Sequence, residues 1–369
     1  MAKESIQSTL LFIPDISGFT KFVQSTEIEH SQHIVQELLE LLIDSNRLDL
    51  VVNEIEGDAI FFFKEGTLPG LREIEEQAEL MFIKFHEHLL QYQRDRICDC
   101  GACSTAHELS LKIIVHVGEV QKMQIKDKTK LFGPEVIVLH ALLKNSISED
   151  QYLLATEGIF DNNEIDNFDG WMKASDSYPE FGEINYRYKS LKEQLDHVKL
   201  KPRESIGKNF KNSVDNSIDI KAPIDDVHRI LTNLDIKNQI FKELIDVKYD
   251  KSEIPRVGAI HQCVLPNFVL KIEISENKIK EGTRLYAEKV ENFPLFNRAN
   301  FLYTMEEVEK YSTLRLQLQI PSKSWFKNFL FRLIRPFLKR EMKKKLEDIK
   351  HFAENHSTAI AIKDLQVGQ

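Results

Sequence analysis

Two rhythms of apolar residues alternate along the first half of the chain. Short apolar runs typical of β-strands occur at residues 9–13, 51–63, 109–117, 120–125 and 152–156. Between them, apolar residues that recur every three to four positions predict amphipathic helices at residues 28–48, 71–92 and 136–144. The order strand, helix, hairpin, helix, strand is typical of an α+β domain whose helices cover a mainly antiparallel sheet.

The pattern changes after residue 195. Residues 196–210 are polar, contain Pro and Gly and show no periodicity, which indicates a linker. Further strands are predicted at residues 214–220, 260–265, 268–274, 284–290, 299–308 and 312–320. A short helix opened by Pro223 follows the first of these strands, and a long helix near residues 325–355 closes the series. We therefore predict a first domain of residues 1–195, a linker of residues 196–210 and a second domain of residues 211–369.

Composition agrees with this division and narrows the class of protein. A chain of 369 residues exceeds the size at which one hydrophobic core keeps growing. The net charge of −9 argues against a specific or non-specific nucleic-acid partner. The sequence contains no apolar run long enough to span a membrane and no secretory signal pattern at its start. Four cysteines, three of them clustered, favour a reducing compartment, so we expect a cytoplasmic protein.

Two aspartates stand where predicted strands end in the first domain. Asp15 follows the first strand, and Asp58 lies beside Gly57 in the turn of the hairpin. Carboxylates on neighbouring strand ends suit Mg²⁺ or Mn²⁺ together with phosphate oxygens, because hard cations prefer oxygen ligands. The spacing alone also fits one turn aspartate and one helix-cap aspartate.

Four motifs around these aspartates resemble class III adenylate and guanylate cyclase domains. Residues 13–20 (IPDISGFT) are similar to the family's opening F-x-D-I-x-G-F-T, and residues 54–60 (EIEGDAI) are similar to its I-G-D-A hairpin. Residues 111–120 (LKIIVHVGEV) resemble its R-x-G-I-H-x-G-x-V strand, and residues 131–136 (LFGPEV) resemble its x-F-G-x-x-V turn. The motifs occur in the family's order, so the resemblance implies a ferredoxin-like cyclase domain.

The resemblance also implies how a site would be built. In that family the two aspartates, here Asp15 and Asp58, hold two metal ions against a nucleoside triphosphate. The metals lower the pKa of the ribose 3′-hydroxyl and neutralise charge on the leaving pyrophosphate. Glu54 stands at the base-selecting position and resembles the guanylate type, but its partner position holds Lys130 where the family has Asp or Cys. We therefore expect Glu54 and Lys130 to pair with each other.

The transition-state residues of the family are replaced. Its Asn and Arg, four residues apart on the helix after the F-G-x-x-V turn, correspond here to Ile137 and Ala141. Losing such a charge-stabilising donor typically costs about 10²- to 10³-fold in rate. His140 and Lys144 lie on the same predicted helix and are alternatives for this role. Because the family builds each site from two chains, the resemblance further implies a homodimer.

A second candidate metal site is the cysteine-rich segment of residues 97–107. Cys98, Cys100 and Cys103 offer three thiolates, and a tetrahedral zinc ion would need a fourth ligand. His107 is the nearest candidate in sequence, with Cys263 or a partner chain as alternatives. The other interpretation is a loop of thiols without a metal.

The second domain resembles the helix-grip fold of START-like or polyketide-cyclase proteins over residues 210–356. The most specific part is the pattern I-x-I-x-A-P-x-x-x-V at residues 218–227. The resemblance implies an apolar cavity for a hydrophobic small molecule or lipid, with Phe293, Phe296, Phe301 and Trp325 in its wall. The same aromatic residues also fit an ordinary core.

The closing helix is basic and amphipathic. Residues 321–350 contain ten Lys or Arg and three acidic residues. Such a segment can bind anionic lipid surfaces peripherally or bind a partner, and a solvated basic helix face is the other alternative.

These features predict a divergent cyclase-like signalling protein that binds nucleotide and metal, with little or no cyclase activity, coupled to a hydrophobic-ligand domain. One alternative is an active nucleotidyl cyclase that converts GTP or ATP to a cyclic nucleotide under control of the C-terminal pocket. A second alternative is a hydrophobic-ligand carrier that uses its cyclase-like domain for dimerisation. The motifs leave open whether the protein is an enzyme.

Overall fold

The structure is a computed structural model with side chains. It describes residues 8–26, 28–98, 100–161, 168–200, 202, 212–250, 255–309, 311–321 and 324–366. The chain divides into two compact units, Met1–Arg94 with Asp99–Lys201, and Asp95–Cys98 with Pro202–Gln369. Of the predicted linker, residues 201 and 203–210 lie outside the described part, so the domain bounds stay predictions.

The first unit is built on one seven-stranded sheet. Its elements in chain order are β1 (Ser8–Ser17), α1 (Phe19–Gln24), α2 (Ile28–Asp44), β2 (Val51–Glu56), β3 (Ala59–Lys64), α3 (Leu71–Asp95), α4 (Gly101–Thr105), β4 (Ser110–Glu119), β5 (Gln121–Ile125), β6 (Lys128–Phe132), α5 (Pro134–Leu142), β7 (Tyr152–Thr156), α6 (Glu157–Phe160), β8 (Met172–Tyr178) and β9 (Gly182–Ser190). The sheet order is β2-β3-β1-β4-β7-β9-β8, and β5 pairs with β6 in a separate hairpin. Among the described pairings of this sheet, β4 with β7 is parallel and the others are antiparallel.

The segment from β1 to β4 has the ferredoxin-like order β-α-β-β-α-β. Strands β1 and β4 lie side by side in the middle of the seven-stranded sheet, where most of their residues are buried and Leu10–Ile13 are fully buried. Helix α2 buries Ile34, Leu38 and Leu42, which recur every four residues as the sequence pattern requires. The predicted α+β class is confirmed.

Several boundaries differ from the sequence-based expectation. Strand β1 continues to Ser17, so Asp15 lies inside the strand and not beyond its end, because β4 pairs with it over the full ten residues. Helix α2 ends at Asp44 because the Asn46 side chain accepts hydrogen bonds from the amides of Leu48 and Leu50 and so forms a turn. Strands β6, β8 and β9 and helix α4 were not predicted.

The second unit is an antiparallel sheet with a long C-terminal helix. Its elements are β10 (Ser213–Ile220), α7 (Ile224–Thr232), α8 (Lys237–Ile240), β11 (Asp246–Lys248), β12 (Ile260–Val264), β13 (Val269–Lys280), β14 (Thr283–Phe293), β15 (Asn297–Val308), β16 (Tyr311–Gln319) and α9 (Trp325–Gln366). The sheet order is β10-β16-β15-β14-β13-β12-β11. Helix α9 shares one hydrophobic core with the sheet, to which it contributes Phe331, Leu338, Met342, Leu346, Ile349 and Ala353. An antiparallel sheet followed by a long closing helix is the predicted architecture.

No helix within the described residues is both long enough and apolar enough to cross a bilayer.

Helix α9 provides a test of the core of the second unit. Ile349→Ala should lower the free energy of unfolding by about 3 kcal/mol, because it leaves a cavity at a fully buried position. Leu333→Ala on the same helix removes a side chain of similar size that is 62% exposed, and should change stability by less than about 0.5 kcal/mol. Urea unfolding followed by circular dichroism measures both, and equal losses would contradict this packing of α9.

Candidate functional site

The two predicted metal-binding aspartates lie next to each other in the first sheet. Asp15 in β1 is opposite Ala59, the first residue of β3, and the amide of Ile16 donates to the carbonyl of Asp58 at 3.0 Å. Gly57 has φ +66°, the left-handed conformation that lets the hairpin turn sharply just before Asp58. The turn therefore brings Asp58 beside Asp15, as the sequence pattern suggested.

A lysine that the sequence analysis did not single out completes this group. Lys112 in β4 is the cross-strand partner of Asp15, and its Nζ lies 3.2 Å from Asp15 Oδ2. The same ammonium donates to the carbonyl of Leu143 at 3.1 Å. Both side chains of the pair are largely buried, at 19% and 13% exposure, so the ion pair is only weakly screened by solvent. Its one signal in the sequence is a cation inside an otherwise apolar strand.

Burial and mutual repulsion act on the two carboxyl groups. Burial raises the pKa of Asp15, and the nearby Lys112 ammonium opposes part of that rise. Burial also raises the pKa of Asp58, and the charge of Asp15 raises it further. Two carboxylates that repel each other in a partly dry place are stabilised by a bound cation. The arrangement can therefore hold a hard divalent ion.

The two predicted base-selecting residues are paired with each other, and the histidine of α5 is paired with a neighbouring glutamate. Lys130 Nζ lies 2.8 Å from both carboxylate oxygens of Glu54, which is the expected pair. His140 Nε2 lies 2.9 Å from Glu56 Oε1, and its Nδ1 lies 2.7 Å from the carbonyl of Val136. His140, an alternative donor for the transition state, is thus engaged within the unit.

Helix α5 offers side chains without donors at the two catalytic positions of the resemblance. Ile137 is 57% exposed, and Ala141 is half-buried one turn later. Lys144 lies just beyond the end of α5 and is exposed. The surface of α5 is therefore apolar at both positions.

A buried histidine fixes where α5 begins, and the sequence analysis did not predict it. His116 in β4 has its Nδ1 2.7 Å from Thr156 Oγ1 and its Nε2 2.6 Å from Glu135 Oε2 in the first turn of α5. Burial lowers the pKa of His116, and Glu135 opposes this shift. A Cβ atom at Gly118 would lie 2.4 Å from Cγ of Glu135, so the glycine makes room for the carboxylate. These contacts attach α5 to β4.

The cysteine-rich segment forms a compact group of metal-ligand atoms. His30, Cys100 and Cys103 of the first unit each place one ligand atom within 4.8 Å of the others. His30 Nδ1 lies 3.1 Å from the sulfur of Cys100 and 3.5 Å from that of Cys103. Cys100 caps α4 by accepting from the amide of Cys103, which keeps the two sulfurs on one side of the helix. One imidazole and two thiols are ligands that zinc prefers, and they leave a tetrahedral ion one ligand short.

The histidine of this group is not the predicted one. His107 lies in an exposed 3₁₀ turn at Ala106–Glu108 and is not a member of the group. Cys263, another predicted alternative, lies in β12 in the core of the second unit. His30 reaches the thiols because the first turn of α2 packs near α4, a contact that sequence spacing does not reveal.

The predicted pocket residues of the second unit take two kinds of position. Phe296 and Phe301 belong to the hydrophobic core, and Phe293 packs against it. The rings of Phe293 and Phe301 meet edge to face at 6.0 Å. Trp325 is 78% exposed at the start of α9. The three phenylalanines thus fill the core, and a ligand cavity stays a prediction.

The same core contains a group of buried polar side chains. Lys237 in α8 donates to Glu288 Oε1 at 2.5 Å and lies 2.9 Å from His261 Nε2, and Tyr286 donates to the same carboxylate oxygen at 3.0 Å. Burial and the neighbouring Lys237 lower the pKa of His261 to about 3. Burial tends to raise the pKa of Glu288, but Lys237 and its other neighbours outweigh this and hold it at about 2. Lys237 and Glu288 form a buried ion pair inside the sheet, and Nδ1 of His261 has no hydrogen-bond partner among the described residues.

Part of the first unit is similar in sequence to known proteins. Residues 35–152 match the family described as "Protein of unknown function (DUF2652)". An uncharacterized protein of Mycobacterium tuberculosis (strain ATCC 25618 / H37Rv), Rv2561/Rv2562, is 32% identical over 121 residues. That match covers 33% of this chain and 56% of the mycobacterial protein, so it spans little more than half of that relative.

Solved structures similar to this chain include nucleotide cyclases. The guanylate cyclase domain of RhGC from Catenaria anguillulae in complex with GTP is 14% identical, with a TM-score of 0.37 over 50% of this chain and 96% of that one. A bacterial light-regulated adenylyl cyclase is 15% identical, with a TM-score of 0.35 over 52% of this chain and 98% of that one. Because these TM-scores are low, we assign the fold of the first unit from its own strand order and not from these similarities.

The contact between Gly118 and Glu135 can be tested by stability. Gly118→Ala should lower the free energy of unfolding by about 2 kcal/mol, because the new methyl group displaces Glu135 and breaks its hydrogen bond to His116. Gly158→Ala is the control, since its nearest atom would lie 3.8 Å away, and stability should be unchanged or slightly higher. Urea unfolding compares the two, and a Gly118→Ala protein as stable as the wild type would contradict the assigned contact.

Proposed function

We propose that the first unit binds a nucleoside triphosphate through a divalent cation held by Asp15 and Asp58, and cyclises it slowly or not at all. The observation that carries this proposal is the adjacency of the two carboxylates on β1 and at the β2–β3 turn. Mg²⁺ or Mn²⁺ suits such a pair, because both ions prefer carboxylate and phosphate oxygens.

The charges of Asp15, Asp58 and Lys112 favour binding of a divalent cation first and of the anionic triphosphate after it. When both carboxyl groups are ionised, Asp15 and Asp58 carry two negative charges and Lys112 carries one positive charge. A divalent cation changes the sum from −1 to +1, so the loaded site attracts a triphosphate. The burial of the pair and of Lys112 strengthens these interactions relative to an exposed cluster.

The opposite side of the site supports binding without rapid turnover. Ile137 and Ala141 cannot donate to the charge that develops on the α-phosphate. His140 is held by Glu56, and Lys130 is held by Glu54, so neither replaces the missing donor in this arrangement. The proposal has two further parts. The protein forms a homodimer, and its second unit binds a hydrophobic ligand that is coupled to the first unit.

The proposal is tested by measuring binding and turnover in parallel. ATP or GTP with Mn²⁺, at about 100 times the dissociation constant, should stabilise the folded chain by about 2.7 kcal/mol and raise its melting temperature by several degrees. Asp15→Asn and Asp58→Asn should abolish this shift. Asp196→Asn, an exposed aspartate of the same unit, should leave it unchanged.

Cyclic product is measured by mass spectrometry in the same samples. Wild-type protein should form little or none, even when nucleotide stabilises it. Rapid Mn²⁺-dependent formation of cyclic nucleotide, lost in Asp58→Asn, would overturn the slow-turnover proposal and favour the active cyclase. Absence of any thermal shift with either nucleotide would overturn nucleotide binding.

We also propose that His30, Cys100 and Cys103 of the first unit bind a zinc ion, with Cys98, expected from the sequence of the same cysteine-rich segment, as the fourth ligand. In a tetrahedral site with Zn–S near 2.3 Å and Zn–N near 2.0 Å, ligand atoms lie roughly 3.5–3.8 Å apart. The distances of His30 Nδ1 to the sulfurs of Cys100 and Cys103, 3.1 and 3.5 Å, approach this spacing. A bound zinc ion would tie the first turn of α2 to α4.

Two histidine variants separate this site from the one expected from sequence. Wild-type protein and His107→Ala should retain about one zinc ion per chain after dialysis, because His107 is exposed and outside the group. His30→Ala should lose most of the metal, and Cys100→Ser with Cys103→Ser should lose all of it. Elemental analysis by mass spectrometry gives the content, and retention of zinc by His30→Ala together with loss in His107→Ala would contradict the assignment.

A further inference from the structure

The beginning of α9 is apolar on two opposite faces. One face carries Phe331, Leu338 and Met342 into the core of the second unit. The other, here named the outer apolar face, consists of residues that are 53–78% exposed: Trp325, Phe326, Phe329, Leu333 and Phe337. Because successive helix residues are rotated by about 100°, these five fall within a sector of about 120° that points away from the buried one. A solvated basic helix does not require such a face.

A neighbouring loop adds an exposed leucine at the same end of the helix. Leu295, between β14 and β15, is 66% exposed and has φ +68°, a conformation that bulky residues rarely adopt. The loop is fastened to α9, since Lys327 Nζ donates to the carbonyl of Phe296 at 3.3 Å and the rings of Phe296 and Phe331 meet at 6.3 Å. Leu295 is therefore an exposed apolar residue near the first turns of α9, on the side that carries Lys327 and Phe331.

Cations surround this face. The exposed basic residues of the first half of α9, here named the basic strip, are Arg332, Arg335, Lys339, Arg340, Lys343 and Lys344. Glu341 is the one acidic residue between positions 325 and 346. Lys343 and Lys344 have acidic neighbours, Glu347 and Glu243, at the long distance of 3.7 Å. A chain with a net charge of −9 thus concentrates positive charge beside its exposed aromatic residues.

This combination fits an anionic lipid bilayer better than a second copy of the chain. Aromatic and aliphatic side chains that protrude from a helix can enter the interfacial region of a bilayer, while adjacent Lys and Arg side chains meet lipid phosphates. A symmetric contact between two copies would bring two basic strips together, and their like charges would oppose it. The positive charge of the basic strip therefore favours an anionic bilayer over a second copy of the chain.

We propose that the outer apolar face and the basic strip form a docking surface for an anionic membrane. The protein would lie on the bilayer surface with residues 325–344 of α9 along the headgroup region. This surface is independent of the proposed nucleotide and zinc sites.

The full-length protein is tested by co-sedimentation with large unilamellar vesicles. Vesicles of phosphatidylcholine with 30% phosphatidylserine, an experimental mixture of about the anionic content that attracts basic segments, should bind at least about ten times more protein than pure phosphatidylcholine. Binding to the anionic vesicles should also weaken about tenfold when the salt concentration is raised from roughly 0.1 to 0.5 M, because the Debye length shortens. Equal binding to neutral and anionic vesicles, or none to either, would overturn the proposal.

Paired variants locate the surface. Trp325→Ser with Phe329→Ser, and separately Arg335→Glu with Lys339→Glu, should each reduce vesicle binding about tenfold or more. The matched controls are Ile245→Ser with Phe268→Ser, exposed apolar residues elsewhere in the second unit, and Lys126→Glu with Lys173→Glu, which change net charge equally. Controls should bind like the wild type. Circular dichroism checks that each variant is folded, and loss of binding in the controls alone would contradict the assignment.

Fluorescence provides a readout that does not depend on sedimentation. In a Trp171→Phe background Trp325 is the single tryptophan, and its emission should shift to shorter wavelength on anionic vesicles and be quenched by brominated lipid. If a second copy covered the face instead, Trp325→Ser with Phe329→Ser would convert a dimer to a monomer in sedimentation velocity, and the emission of Trp325 in the Trp171→Phe protein would not shift on vesicles. That result would overturn the membrane assignment.

Discussion

The antiparallel pairing of β1 with β4 is the constraint on which the first unit depends. Ten residues of each strand are in register, from Ser8 opposite Glu119 to Ser17 opposite Ser110, although the two strands are about a hundred positions apart in the chain. The register sets Lys112 opposite Asp15 and places Gly118 where Glu135 can pass to His116. A slip of one residue would turn these side chains to the other face of the sheet. The candidate site and the position of α5 thus follow from one pairing.

The first unit contains one group of charges that is not balanced and one pair that is. Near Asp15 and Asp58 the carboxylates outnumber the single buried ammonium of Lys112, which leaves an excess that a metal ion can satisfy. At the adjoining edge, Glu54 with Lys130 is a closed pair. The same fold therefore leaves two carboxylates available to a cation and engages Glu54 and Lys130 with each other. This arrangement supports the proposed binding of nucleotide without rapid turnover.

The second unit depends on α9, whose residues satisfy different requirements along its length. Ile349 and Ala353 are fully buried in the sheet core, and the first turns carry Trp325 and Phe329 outward. Within the same core Lys237, His261 and Glu288 form a buried polar group that is held by mutual hydrogen bonds. Removing one partner of such a group leaves an uncompensated buried charge, so it constrains how the sheet and α8 fit together. The apolar pattern alone carries no trace of it.

Local patterns determined most of the elements. Apolar alternation located β1, β7 and most strands of the second unit, and helical periodicity located α2, α3 and α9, because burial requires apolar residues at the period of the element. Gly57 with Asp58 marked the hairpin turn, since few residues tolerate that backbone conformation. The pairing of Glu54 with Lys130 was also foreseen, as opposite charges at matched positions of one motif set.

What sequence could not supply were contacts between distant segments. His30 joins Cys100 across seventy positions, Lys112 meets Asp15 across two strands, and His116 meets Glu135 through the space left by Gly118. Exposure was equally undetermined, since Trp325 and Phe296 were both expected in the wall of one cavity but one is open to solvent and the other is in the core. Periodicity records which residues one element can bury, whereas only the tertiary packing decides which face of that element meets another.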